Sequence, residues 1–266
     1  MIDDYKIFRE CSPEFIKLCK KSLMDFRNSK ENFKGRWIST LGHKKLILNP
    51  QKKLDSFKQI LKSPEVINVI KEKFNSDKCN LNHAKISLKK FSSKAIWFPH
   101  QDSQYVSSNK NLKGITIAIL LEQNIPNCGN LILFKKSNKS KIKHQIIYAS
   151  DEKTPQYKCE TKNFEPVVIT GNAGDIIVWD INTIHASKKN MIQNFDRPIF
   201  IFTIVEKKGL NLDLDDEADF CLTYNYDLKV STILYLFKFI KKIKLYLYQI
   251  LILIHSKLFR SKSVRF

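Results

Sequence analysis

The spacing of apolar residues changes part-way along the chain, and the change separates a helical region from a β region. Within the first eighty residues the spacing is helical. Ser12, Pro13 and Glu14 supply an N-cap, a first-turn proline and an acid at the positive helix end. Phe15, Leu18, Cys19, Leu23 and Phe26 then recur on one face. Ser63, Pro64 and Glu65 repeat the start signal ahead of Val66, Ile67, Val69 and Ile70. Between these two, 54–61 is a third helical candidate.

From 84 onward the period is two. Residues 84–91 alternate, and apolar, β-branched runs follow at 114–121, 129–134, 166–170, 175–179 and 198–205. Gly, Asn, Asp and Pro punctuate them. Strands in succession with no helices between them predict an antiparallel sandwich or barrel rather than βαβ units. A polar, weakly patterned stretch at 141–163 reads as an insertion, either a flap on the substrate side or an idle surface loop.

Composition narrows the partners. The 266 residues carry 46 Lys+Arg against 26 Asp+Glu, a net charge of +20. Base readout and bidentate phosphate clamping favour arginine, yet only six of the cations are Arg. A solvated lysine-rich surface is therefore expected, not a nucleic-acid partner. The six cysteines form no CxxC pair and the charged first ten residues lack an apolar stretch, so a reducing cytoplasm is expected, with the thiols as small core residues.

Two of the six histidines stand in informative settings. His100 and Asp102 are two apart, and in extended chain such side chains point to the same side. His185 follows the apolar run at 175–179. Two imidazoles and one carboxylate, with open positions opposite, form the face that non-haem Fe(II) oxygenases use. Arg197 stands at the start of the last apolar run, where a buried guanidinium needs an anionic partner. That partner is either a dicarboxylic co-substrate held by two parallel hydrogen bonds, or a structural acid such as Asp196 or Asp180. His43, His83, His144 and His255 carry no supporting pattern.

Together, His100-Gln101-Asp102, the stretch 174–187 ending in His185-Ala186-Ser187, Arg197, and Asn127-Cys128-Gly129-Asn130-Leu131 resemble the phytanoyl-CoA dioxygenase family. The resemblance covers roughly 84–205. It implies a mainly β fold with flanking helices, a double-stranded β-helix or cupin-like jelly roll. It also implies Fe(II) held by His100, Asp102 and His185, with 2-oxoglutarate and O2 as co-substrates. By the same resemblance Arg197 takes the distal carboxylate of 2-oxoglutarate, and Gln101 and Ser187 touch the co-substrate. The implied activity is hydroxylation of a small organic or acyl- or lipid-linked molecule, releasing succinate and CO2. The alternative is an inactive jelly-roll binding module. One departure stands out. Lys136-Ser137-Asn138-Lys139 replaces the family's frequent Gly-Ser-His, on the substrate side.

The expected organisation is a dioxygenase domain over 1–228, with a helical part at 1–80 and a jelly-roll core at 84–205, and a tail at 229–266. The tail holds nine cations and no acid, and six acids lie just ahead of it in 210–227. Its longest uncharged run, 245–256, reaches about 18 Å as a helix, short of the roughly 30 Å hydrocarbon core. A C-terminal amphipathic helix lying on an anionic membrane surface is expected, at the inner face of the membrane.

Overall fold

The computed structural model describes residues 4–29, 46–74, 79–91, 96–106, 112–139, 142–148 and 155–206. The elements run β1 (Tyr5–Phe8), α1 (Pro13–Asn28), β2 (Leu46–Leu48), α2 (Asp55–Leu61), α3 (Pro64–Phe74), β3 (Cys79–Lys89), β4 (Trp97–His100) and α4 (Ser103–Val106). Then come β5 (Gly114–Leu120), β6 (Leu131–Phe134), β7 (His144–Tyr148), β8 (Pro155–Cys159), β9 (Pro166–Val168), β10 (Ile176–Asp180), β11 (His185–Ser187) and β12 (Arg197–Glu206).

α1 and α3 form where the start signals stand, and α2 forms within the third candidate at 54–61 without a side-chain cap. Ser12 caps α1 by accepting the Phe15 N–H, with Pro13 in the first turn. Ser63 accepts the Val66 N–H at 3.4 Å at the head of α3. Two elements depart from an all-helical first eighty residues: β1 and β2. Both are edge strands of the larger sheet, and strands of four and three residues are too short to show a period.

Six strands form that sheet in the order β1-β10-β5-β12-β3-β2. Four form a smaller one, β4-β11-β6-β9, and every strand pairing is antiparallel. The insertion at 141–163 contains a hairpin, β7 paired with β8.

The central strands of the larger sheet sort their side chains onto two faces. Ile115, Ile117 and Ile119 of β5, Ile176 and Val178 of β10, and Phe200, Phe202 and Ile204 of β12 pack with the helices, against Phe15, Leu23, Phe57, Ile60 and Val69. Their alternates, Ala118 and Leu120, Ile177 and Trp179, and Ile199, pack with Leu131 and Leu133 of the smaller sheet. A register shift between Thr203 and Ile204 opposite the start of β3 interrupts the alternation there. β3 itself begins at Cys79, and the break in alternation hides its first residues from the pattern at 84–91. The fold is thus mainly β, two antiparallel sheets with helices backing the larger one. The C-terminal amphipathic helix and the acidic stretch at 210–227 lie outside the described residues.

Candidate active site

The polar inner face of β3 and the smaller sheet enclose one cavity. His83, Lys85 and Ser87 of β3 line it from one side, and His100, His185 and Ser187 from the other.

The two sequence-predicted histidines meet because β4 and β11 are paired, with His185 directly opposite His100 in the register. Their ring centroids lie 4.3 Å apart. Asp102 follows β4 by two residues, where the chain turns into α4. Its Oδ1 stands 3.4 Å from the His185 Nε2 and 3.8 Å from the His100 Nε2. All three residues are buried, at 4%, 6% and 7% exposure for His100, Asp102 and His185.

The surrounding hydrogen bonds decide what those atoms can do. His100 Nδ1 donates to the Phe98 carbonyl at 2.6 Å, and His185 Nδ1 donates to the Thr183 carbonyl at 3.1 Å. A carbonyl only accepts, so either ring, when neutral, carries its proton on Nδ1 and presents the Nε2 lone pair toward Asp102. Asp102 Oδ2 accepts from Thr116 at 2.6 Å, and Thr116 is itself 3.0 Å from Thr203. That leaves Oδ1 facing the two Nε2 lone pairs. Three acceptors converging in a buried space repel one another unless a cation sits among them. The donor set, two imidazoles and a carboxylate with outer partners fixing each, suits a divalent transition metal.

Electrostatics point the same way. Burial, and then the neighbouring His185, push His100 down to about 3, so it is neutral and able to ligate at ordinary pH. Burial works to raise Asp102, but its pairing and hydrogen bond with the His185 ring, and then the charges of His100 and Lys85 when protonated, outweigh it and hold the carboxyl well below its usual range, so it is an anion ready for a cation. Aromatic rings pack against both imidazoles. Tyr105 meets His100 edge-on at 5.3 Å and Trp179 lies 5.2 Å from His185.

Arg197 lines the same cavity at 2% exposure. It is not the partner of either neighbouring acid. Asp180 pairs with Lys73 at 3.0 Å and Asp196 lies 4.0 Å from Lys90. One Arg197 nitrogen, Nη2, reaches Ser87 Oγ at 3.4 Å, and its Nε is buried with no hydrogen-bond partner among the described residues. The Trp179 Nε1, in another cavity-lining side chain, is also buried and unpartnered. Orphaned buried donors beside an uncompensated guanidinium suit an anionic ligand.

Ser187 also lines the cavity. Gln101 does not. Its amide donates to the carbonyls of Asn182 and Ser137, and its Oε1 accepts from the Ile142 N–H. It ties the connection between the ligands to its neighbours instead of facing the cavity. His144 was without pattern in the sequence, yet its Nε2 accepts the Gln101 N–H at 3.1 Å, so the inserted hairpin props the turn between His100 and Asp102. Nothing in the local sequence marks that contact. Thr116 and Lys85 are further cavity residues that the motifs do not contain.

Fold and site together define a non-haem Fe(II)- and 2-oxoglutarate-dependent oxygenase. The chain belongs to the phytanoyl-CoA dioxygenase family, whose model matches residues 13–197. Among solved structures it is similar to EctD from S. alaskensis with 2-oxoglutarate and 5-hydroxyectoine, at 14% identity and a TM-score of 0.62, over 83% of this chain and 79% of that one. It is also similar to EvdO2 from Micromonospora carbonacea var. aurantiaca complexed with 2-oxoglutarate, at 14% identity and a TM-score of 0.59, over 77% and 87%. A third is SnoN, a non-haem α-ketoglutarate-dependent epimerase from nogalamycin biosynthesis, at 13% identity and a TM-score of 0.55, over 77% and 78%. Likeness at this identity establishes the shared fold. No curated protein sequence matches the chain.

Proposed function

We propose that the protein hydroxylates a small organic or acyl- or lipid-linked molecule, with Fe(II) held by His100, Asp102 and His185 and the distal carboxylate of 2-oxoglutarate held by Arg197. The carrying observation is the convergence of the two Nε2 atoms and Asp102 Oδ1 in one buried space, each fixed from behind. When bound, iron with 2-oxoglutarate and dioxygen supplies the oxidant that turns a C–H bond into C–OH, with succinate and CO2 as co-products.

The chain's own residues do the rest. His100 stays neutral, and both imidazoles are oriented by their carbonyl partners, so neither ring needs to turn to receive the metal. Thr116 keeps Asp102 from turning its other oxygen inward. Arg197 offers a planar fork to a carboxylate, which a lysine could not match. Trp97, Trp179 and Ile199 give the cavity apolar walls that exclude water around the reacting groups.

The test is turnover of 2-oxoglutarate by the full chain with Fe(II) and O2, read as succinate. The wild type forms succinate slowly without its substrate, and Asp102→Ala forms none above the iron-only control. Equal succinate from both would reject the assignment and favour an inactive binding module.

The tail at 229–266 is proposed as a separate membrane-surface element, on its charge and apolar content alone. Among the described residues no helix is long and apolar enough to cross a membrane.

A further inference from the structure

We infer that Lys89 is a positioning residue for the distal carboxylate of 2-oxoglutarate, acting through the hydroxyl of Ser187. The inference rests on the co-substrate placement proposed above.

Lys89 ends β3 and is the register partner of Arg197 on β12. It is 0% exposed, unusual for a lysine. Its Nζ donates to Ser187 Oγ at 2.6 Å and to the Lys188 carbonyl at 2.5 Å. The path of its stem is built in. Gly129 has a φ of +82°, and a Cβ there would come within 2.8 Å of Lys89 Cδ. The glycine of the 127–131 segment therefore leaves room for this side chain to pass. Asn190 holds the strand end in place by donating from Nδ2 to the Lys89 carbonyl at 2.9 Å.

Neither Lys89 nor Arg197 forms an ion pair among the described residues. Burial, and then the Arg197 guanidinium, push the Lys89 ammonium well below its ordinary range. Two adjacent buried cations are costly by themselves and favourable only when an anion joins them.

The hydrogen-bond inventory says how Lys89 acts. An ammonium has donors only, whereas a hydroxyl has one donor and two acceptor positions. With Lys89 donating to Ser187 Oγ, the single Ser187 proton is turned toward a different acceptor. Ser187 and Arg197 line the same cavity, so a carboxylate lying on the guanidinium can also take that proton. Lys89 sets the direction of the Ser187 donor, and an anion bound at Arg197 favours the charged form of Lys89 behind it.

The experiment separates this role from simple structural support. The Fe(II)-loaded full chain is titrated anaerobically with 2-oxoglutarate and with 2-oxopentanoate, which has a methyl in place of the distal carboxylate. Lys89→Met is expected to weaken 2-oxoglutarate about ten- to hundredfold, as for a lost charge-assisted network. Its effect on 2-oxopentanoate and on Fe(II) affinity is expected to stay within about twofold. Adding Ser187→Ala to Lys89→Met should cost little more, because both remove one linked contact. Lys89→Gln keeps an N–H donor and should show an intermediate loss, so it decides the matter if the methionine variant does not fold. A similar loss for both keto acids, or an unchanged ratio between them, would assign Lys89 to structure and overturn the inference. A wild type that binds both keto acids equally would instead reject the Arg197 placement itself.

Discussion

A carboxylate that must turn one oxygen toward a cation needs its other oxygen occupied. Thr116 does this for Asp102, and Thr203 stands behind Thr116. Replacing Thr116 by Val preserves shape and leaves Oδ2 buried without a donor. Fe(II) affinity is expected to fall about 10- to 100-fold with the fold retained, as read by metal titration and circular dichroism. An unchanged affinity would leave Thr116 without a role at the metal. The residues that converge here were legible in the sequence as candidates, because two histidines, an aspartate and an arginine at these spacings are informative as residue types. Thr116 was not, since one threonine inside an apolar run carries no chemical signal. Lys85 and Lys89 were hidden for a different reason. In a chain with 46 Lys+Arg, a lysine says little. The alternation His83, Lys85, Ser87, Lys89 between Ala84, Ile86 and Leu88 nonetheless put them on one face of β3, and that face is the cavity wall.

At the level of elements, the central strands serve two packings at once. Phe200 of β12 is fully buried and meets Phe57 of α2 edge-on at 4.9 Å. Its neighbour Ile199 points the other way, into the cavity. Phe200→Ala is expected to cost about 3–5 kcal/mol of stability, read by denaturant unfolding, while Fe(II) affinity of the folded protein stays near wild type. A matching loss of metal affinity would mean that the helix face and the site face are coupled through the strand. The strands buried on both faces were the legible ones, because β5 and β12 read as continuous apolar runs. β1 and β2 were lost to their shortness. The hairpin of β7 and β8 was lost because its strands carry His144, Gln145, Gln156 and Lys158 among few apolar residues. Its role appears only in space, where Tyr157 packs on Tyr105 at 5.0 Å and His144 holds the Gln101 backbone.

Over the whole molecule, charge is distributed unevenly along the chain. The segment 229–266 holds nine basic residues and no acid, and the six acids of 210–227 precede it. Each basic residue near an anionic surface contributes about 1 kcal/mol, and apolar contact adds a part that salt does not screen. The full chain is expected to sediment with anionic vesicles, less at high salt, and removal of 229–266 is expected to abolish this while the site is kept. A truncated protein that still sediments, or that unfolds, would show that the tail is not a separable anchor. None of this bears on the central claim, that three side chains brought together by the β4–β11 pairing and the turn after β4 form one iron site. The most direct measurement is the visible charge-transfer absorption that appears when 2-oxoglutarate chelates protein-bound Fe(II) without oxygen. The wild-type full chain is predicted to develop this band to saturation at stoichiometric iron and co-substrate, and Asp102→Ala to develop none. A wild type without the band, or an Asp102→Ala variant that keeps it undiminished, would contradict the account.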